Sequence, residues 1–225
     1  MTSAFTFENR AAAGRLLSKR IQDYTGRPYV VVLGLAPGGV PVACEVAQNL
    51  KLPLDVLVAR KLGVPEHPEL VMGVIVSGGA RYLNKDVIRR TNVSRKQFDT
   101  VFNSEIVELQ RRERLYREHR EPADITNHTV ILVDDGTTSC EMLRAVAMAL
   151  RARHPKQIVL ALPVAAVGTA EHLGAAIDDF ECVYSPQDFQ SARQYYANFS
   201  ELNDDSAHEL FVQILSHSDK PAPVH

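Results

Sequence analysis

The sequence has few cysteines, no excess of charge of either sign and no long apolar run. Its three cysteines, Cys44, Cys140 and Cys182, are far apart, and none belongs to a C-x-x-C pair. This pattern argues against a disulfide framework or a structural zinc site and favours a reducing compartment. There is also no apolar signal-peptide core near the N-terminus and no run of membrane-spanning length. The sequence therefore predicts a cytoplasmic protein with no membrane partner.

The charge balance is close to neutral, with 25 Lys and Arg against 27 Asp and Glu and a formal net charge of −2. Such a chain has no overall field that would attract nucleic acid, so any anion site has to be local. Several arginines cluster at 111–117. We interpret them as the cation-rich C-terminal end of a helix, which suits the helix dipole. A basic patch for phosphate or RNA is the alternative, and the overall charge does not support it.

Strand and helix patterns alternate along the chain. Strands are predicted at 29–35, 54–59, 71–76, 129–133, 157–163 and 180–184, and helices at 7–21, 40–50, 94–116, 141–152, 167–176 and 206–216. This alternation with short connections is typical of an α/β fold with a mostly parallel twisted sheet flanked by helices. The length of 225 residues suits one domain, which we place at 1–218, with a disordered tail at 219–225.

Three polar or glycine-rich segments follow predicted strands, at 35–39, 60–63 and 134–139. In an open parallel sheet, ligands bind beyond the carboxyl ends of the strands. We therefore expect these three segments to lie at one edge of the sheet and to form the functional site.

The segment V-D-D-G-T-T-S at 133–139 carries the strongest signal. Asp134 and Asp135 can hold a vicinal diol or a hydrated divalent cation from two sides. A glycine and three hydroxyl residues follow them: Gly136, Thr137, Thr138 and Ser139. Their hydroxyl and N–H groups would stand at the start of the next helix, where the helix dipole favours a phosphate. Helix capping by an acid and a serine is the simpler explanation, but it does not account for two acids followed by a hydroxyl-rich turn.

The other two segments carry weaker signals. The glycines at 34–39 lack the spacing of a dinucleotide-binding fingerprint, and the chain has neither the G-K-[ST] of a P-loop nor the G-x-S-x-G of an esterase. Arg60 and Lys61 suit a pyrophosphate, and equally suit an ordinary surface pair. Cys140 has two interpretations as well: a reactive thiol at a helix N-terminus, or a small residue that fills the space of a glycine.

These residues resemble the type I phosphoribosyltransferases, and more closely a bacterial branch of uncharacterised phosphoribosyltransferases. V-I-L-V-D-D-G at 130–136 is similar to the phosphoribosyl pyrophosphate motif of the family. The branch opens with F-x-x-R-x-x-A-G, matched at 7–14, and shows R-K-L-G-x-P-x-x-P-E, matched at 60–69. Its closing F…Y-x-x-F…D pattern is matched by Phe189, Tyr196, Phe199 and Asp204.

The resemblance implies a magnesium-dependent enzyme with a small hood over the sheet, and a homodimer is common in the family. In such enzymes a nitrogen nucleophile, usually a base, displaces pyrophosphate from the anomeric carbon of phosphoribosyl pyrophosphate. Asp134 and Asp135 would hold the ribose hydroxyls and, through water, the Mg²⁺ ion. The 5′-phosphate would lie on Gly136, Thr137, Thr138, Ser139 and Cys140, and the pyrophosphate on Ala36, Pro37, Gly38, Gly39, Arg60 and Lys61. The implied partner is a small phosphorylated sugar or nucleotide.

The chain departs from the branch at both phosphate-binding segments. The branch sequence D-D-G-I-A-T-G-A-T is replaced by D-D-G-T-T-S-C-E-M, which puts Cys140 and Met142 in place of a glycine and a threonine. Pro37 replaces the arginine of P-R-G-G and removes a cation and a backbone donor together. Two hypotheses therefore stay open. One is an active phosphoribosyltransferase, and the other is a catalytically inactive relative that binds a phosphate, nucleotide or sugar phosphate as a sensor or regulatory module.

Overall fold

A parallel sheet forms the centre of the molecule. The computed structural model describes residues 5–117, 120–136 and 140–218, so the predicted tail at 219–225 lies outside the described residues. The strands of this sheet are β1 (Val30–Leu35), β2 (Leu54–Leu57), β6 (Thr129–Val133), β7 (Gln157–Val164) and β8 (Asp179–Tyr184). Their order is β2-β1-β6-β7-β8, and every neighbouring pair is parallel.

Helices cover both faces of this sheet. They are α1 (Arg10–Arg20), α2 (Gly39–Leu50), α3 (Lys85–Arg90), α4 (Arg95–Arg117), α5 (Cys140–Arg151), α6 (Thr169–Leu173) and α7 (Asp204–Ser218). Because side chains alternate along a strand, Val30 and Val32 of β1 pack with α1 and α2, whereas Val31 and Leu33 pack with α5 on the other face. The α/β fold predicted from the sequence is confirmed.

A second, antiparallel sheet corrects part of the prediction. It consists of β3 (Ala59–Val64), β4 (His67–Val76) and β5 (Arg81–Leu83), in that order. The strand predicted at 71–76 is present in β4, but it lies outside the parallel sheet. The predicted loop at 60–63 is wrong, because these residues belong to β3. The chain leaves the central sheet at Val58, whose N–H donates to Ser77 Oγ and whose carbonyl accepts from the Ser77 N–H, both at 2.9 Å.

Three of the four arginines at the end of α4 form ion pairs with acids of other elements or of the helix itself. Arg112 lies 2.6 Å from Asp204, and Arg117 lies 3.1 Å from Asp55. Arg111 pairs with Glu108 at 2.8 Å. These contacts agree with the interpretation of a structural helix end. Among the helices of the described ranges, none is both long enough and apolar enough to cross a membrane.

Candidate ligand site

Two of the three predicted segments meet at the carboxyl end of the central sheet. β1 and β6 are neighbours, and Gly34 pairs in register with Val133, so the segments 36–39 and 134–136 leave the sheet side by side. Their contact is tight. A Cβ atom on Gly38 would lie 2.6 Å from Asp135 Oδ2, and one on Gly39 would collide with the Val133 carbonyl oxygen. The approach of the two loops therefore requires glycine at position 39, where the clash is with backbone atoms, whereas a side chain at position 38 would displace the Asp135 carboxylate.

The third segment lies in the antiparallel sheet. Arg60 is partly buried in β3, and its Nε donates to Glu105 Oε2 of α4 at 2.7 Å. Lys61 is exposed on the same strand, opposite Val74. The positive charge of Arg60 is already balanced by a carboxylate, so its predicted contact with a pyrophosphate would have to compete with Glu105.

The two adjacent acids have different surroundings. Asp135 is only 8% exposed, and its Oδ2 accepts from Arg10 Nε at 2.7 Å. Asp134 keeps part of its surface open, and its Oδ1 accepts from the Asp135 N–H at 2.9 Å. Burial raises the pKa of Asp134 well above its ordinary value, and the negative charge of Asp135 raises it further. Burial also raises the pKa of Asp135, and the hydrogen bond and charge of Arg10 oppose that rise.

Arg10 and Tyr196 also belong to the site. From the sequence, both were recognised only as members of the family patterns, without a role in the site. Tyr196 donates its hydroxyl to the carbonyl oxygen of Asp135 at 2.6 Å. Arg10 comes close because the N-terminal segment pairs with the segment before α7: the Phe7 N–H donates to the Tyr195 carbonyl oxygen at 2.8 Å. The sequence signal for both residues was their place in the family patterns: Arg10 belongs to F-x-x-R and Tyr196 to Y-x-x-F.

The segment predicted to hold a 5′-phosphate is described only at its two ends. Gly136 has φ of +126°, and a Cβ atom there would lie 2.9 Å from the Ala192 Cβ atom. Thr137, Thr138 and Ser139 lie outside the described residues. Cys140 is partly buried and is the first residue of α5 among the described residues. A helix N-terminus in this place favours a bound anion.

A cavity of about 600 Å³ opens beside Arg10. Its walls include Arg193 and Phe199, and the short segment 200–203 completes it. Arg193 Nη1 donates to the Phe199 carbonyl oxygen at 3.2 Å. Arg193 thus adds a cation to the wall of a cavity next to the acidic loop.

A magnesium ion can be accommodated by the acids of this site. In the described part of the chain, no group of three or more His, Cys, Asp and Glu side chains is arranged to hold a metal ion. Magnesium at phosphate sites commonly takes only one or two carboxylates, with water and substrate phosphates as its other ligands. Asp134 offers such a carboxylate, whereas Asp135 already binds Arg10. The residues therefore fit an ion that arrives with a phosphorylated ligand.

Comparisons with known proteins agree with this architecture. The family model described as "Phosphoribosyl transferase domain" matches residues 7–192. A crystal structure of the protein TT1426 from Thermus thermophilus superposes with a TM-score of 0.82 at 32% identity and covers 93% of this chain and 99% of that one.

Two curated relatives come from Mycobacterium tuberculosis, strains CDC 1551 and H37Rv, and both carry the name "putative phosphoribosyl transferase". Each is 40% identical over 199 residues, which is 88% of this chain and 45% of the relative. The chain thus spans less than half the length of these relatives. The resemblance seen in the sequence is confirmed, and the chain belongs to the phosphoribosyl transferase domain family.

Proposed function

We propose that this domain binds phosphoribosyl pyrophosphate and transfers its phosphoribosyl group to a nitrogen acceptor, with release of pyrophosphate. One observation carries the proposal: the segments 36–39 and 134–136 are in contact at the carboxyl end of the sheet. A glycine-rich turn and an acidic residue there can contact two parts of one ligand.

In this proposal, different residues of the site bind different parts of the ligand. Asp134 accepts hydrogen bonds from the ribose hydroxyls, and its charge stabilises the cationic ribose ring of the transition state. The N-terminal end of α5, which begins at Cys140, holds the 5′-phosphate. The N–H groups of Gly38 and Gly39 face the pyrophosphate, and Pro37 has none to add. Most of the rate enhancement would come from positioning.

Several finer features belong to the same proposal. A bound Mg²⁺ ion would offset the negative charge of the pyrophosphate, and Asp134 would be its protein contact. The cavity beside Arg10 is the place for the acceptor, whose identity stays open. We place the activity in the cytoplasm, where the cysteines, which are free in the structure, would stay reduced. Residues 1–218 would act as a single domain, and a homodimer stays a prediction.

A second candidate is a catalytically inactive relative that binds a phosphate, nucleotide or sugar phosphate. Two ion pairs favour this candidate. Arg10 is paired with Asp135 and Glu105 with Arg60, each at a distance of 2.7 Å. These pairs reduce the free charge available to ribose and pyrophosphate. Pro37 and Met142 reduce the number of donors further.

Titration calorimetry with phosphoribosyl pyrophosphate and MgCl₂ tests binding, and pyrophosphate release across a panel of bases tests transfer. Asp134→Asn should weaken binding at least about tenfold, because a charged hydrogen bond is lost. Asp179→Asn is the matched control, since Asp179 is exposed at the amino end of β8 on the opposite edge of the sheet. A folded wild-type protein that binds nothing at millimolar ligand would rule out the enzyme. Binding without pyrophosphate release would favour the inactive relative.

A further inference from the structure

We propose, on the basis of the function proposed above, that Arg10 is a positioning residue: it holds Asp135 against Gly38 and so leaves Asp134 as the acid that faces the ligand. The two neighbouring acids would then have different tasks. Asp135 would join the two ligand loops, and Asp134 would contact the ribose.

The guanidinium of Arg10 is held from three directions. Its Nε donates to Asp135 Oδ2 at 2.7 Å, and the two side chains are only 11% and 12% exposed. Its Nη1 donates to the Ser200 carbonyl oxygen at 2.9 Å. Its Cζ lies 3.8 Å from the centre of the Phe199 ring, a cation–π contact. A planar cation restrained in this way fixes the position of the carboxylate that it binds.

Asp135 in turn connects both ligand loops. A Cβ atom on Gly38 would lie 2.6 and 3.0 Å from the two carboxylate oxygens of Asp135, so the carboxylate lies directly against the Gly38 backbone. At its carbonyl oxygen, Asp135 accepts the hydroxyl of Tyr196 at 2.6 Å. Asp135 is thus held at its side chain by Arg10 and at its backbone by Tyr196. Through Asp135, the start of α1 is linked to the segment 36–39.

Asp134 is left to interact with a ligand. Among the described residues, its carboxylate makes one hydrogen bond, from the Asp135 N–H, and no ion pair. As a whole residue, Asp134 is partly exposed, whereas Asp135 is only 8% exposed. Two adjacent carboxylates repel each other in a buried site, and one cation bound to one of them lets both stay in place. The charged and titratable groups that face Asp135 are Arg10 from α1, Asp134 from its own loop and Tyr196 from the segment before α7.

A double-mutant cycle tests this link with phosphoribosyl pyrophosphate as the probe. Arg10→Gln and Asp135→Asn should each weaken binding roughly tenfold to hundredfold, the value of a charge-assisted hydrogen bond. The double variant should lose no more than the weaker-binding single variant, because both changes break the same link. Arg10→Lys keeps the charge and should retain part of the affinity. Arg15→Gln is the matched control on α1, because its side chain is 51% exposed and pairs only with Glu45 among the described residues.

A second measurement does not depend on the ligand. Nitrogen-15 NMR of the backbone amides follows the environment of Gly38 in the free protein, where the Asp135 carboxylate lies against the Gly38 backbone. Arg10→Gln should shift the Gly38 amide signal, as Asp135→Asn should, because the carboxylate is then no longer held in place. Arg15→Gln should leave that signal unchanged.

The outcomes separate this proposal from the proposed function. If the wild-type protein does not bind the probe, the proposed function fails, and the Gly38 amide signal still tests whether Arg10 holds Asp135 in place. An unchanged Gly38 signal in Arg10→Gln would overturn the positioning role. Additive losses in the double variant would overturn it too. Weaker binding in Asp135→Asn together with unchanged binding in Arg10→Gln would also overturn it, since Asp135 would then act on the ligand directly. If circular dichroism shows that Arg10→Gln is unfolded, Arg10→Lys and Asp135→Asn provide the same comparison.

Discussion

At the residue scale, the ionised form of Asp134 destabilises the unliganded protein. Its carboxyl group is buried next to Asp135, so its pKa in the folded state is raised above the value in the unfolded chain. A group of this kind stabilises the fold while it is protonated. That stability is complete below the unfolded pKa and is lost as the pH rises through the higher folded pKa. Such a cost is common where a charge is kept for a ligand.

This cost predicts that Asp134→Asn makes the protein more stable while it weakens ligand binding. The amide keeps the Oδ1 atom that accepts the Asp135 N–H and removes the charge that Asp135 repels. We expect the midpoint of thermal unfolding at neutral pH to rise by roughly 2–4 °C, the shift that about 1 kcal/mol produces in a chain of this size.

The gain in stability should grow with pH, since the wild-type carboxyl becomes ionised. Calorimetric unfolding between about pH 5 and about pH 8 measures this dependence. A lower unfolding midpoint of Asp134→Asn at neutral pH would mean that the charge of Asp134 is stabilising, in contradiction to its raised pKa.

The sequence could predict the acidic loop of the site, but it could not predict the contact of this loop with Arg10. The string of two acids and a glycine after a buried strand is local, and its chemistry can be recognised without a fold. Arg10 and Asp135 are separated by 125 positions, and they meet where Phe7 pairs with Tyr196. A hydrogen bond of this kind depends on tertiary structure, which local patterns do not encode.

At the element scale, the start of α2 is set by its contact with the end of β6. Gly39 is the first residue of the helix, and a Cβ atom there would collide with the Val133 carbonyl oxygen and lie 2.9 Å from the Asp134 Cα atom. Both neighbours are backbone atoms, which cannot rotate away. Any side chain at this position must therefore separate the helix from the acidic loop.

We expect Gly39→Ala to destabilise the fold by about 1–3 kcal/mol, the usual cost of overpacking. Ligand affinity should fall as well, because the two loops would move apart. Urea unfolding and calorimetry measure the two effects. Gly79→Ala is the control for destabilisation itself: Gly79 has φ of +77° and open space around it, so alanine there costs about 1–2 kcal/mol in backbone strain. Equal affinity losses in both variants would show that reduced stability, and not the loop contact, weakens binding.

The sequence pattern could not separate the two sheets at this scale. The apolar run at 71–76 is buried whether it lies in the central sheet or above it, because Val74 and Val76 share one core with residues of α5. The strand of the central sheet ends after β2, where the Val58 N–H donates to Ser77 Oγ, 19 positions further along the chain. Hydrophobicity alone therefore predicted a longer second strand and a loop where β3 lies.

At the scale of the whole molecule, Asp204 joins parts of the chain that are far apart in sequence. It is the first residue of α7, and it accepts hydrogen bonds from Arg112 Nη2 at 2.6 Å and from the Tyr116 hydroxyl at 2.8 Å. Arg112 is only 7% exposed and Tyr116 only 1%. Burial raises the pKa of Tyr116, so the hydroxyl stays protonated and remains a donor. The acid that ends the family pattern thus fastens the last helix to the middle of the chain.

Asp204→Ala should therefore destabilise the whole fold without acting on the ligand site. Removal of one partner of a buried ion pair leaves Arg112 with an uncompensated charge, which costs about 3–5 kcal/mol. Urea unfolding measures this loss, and calorimetry should find the affinity of the folded fraction unchanged. Asp205→Ala is the matched control in the same helical turn, where an exposed acid should contribute less than about 0.5 kcal/mol. Equal stability of the two variants would show that α7 is held by its apolar contacts with α2 and α4, with no measurable contribution from the ion pair.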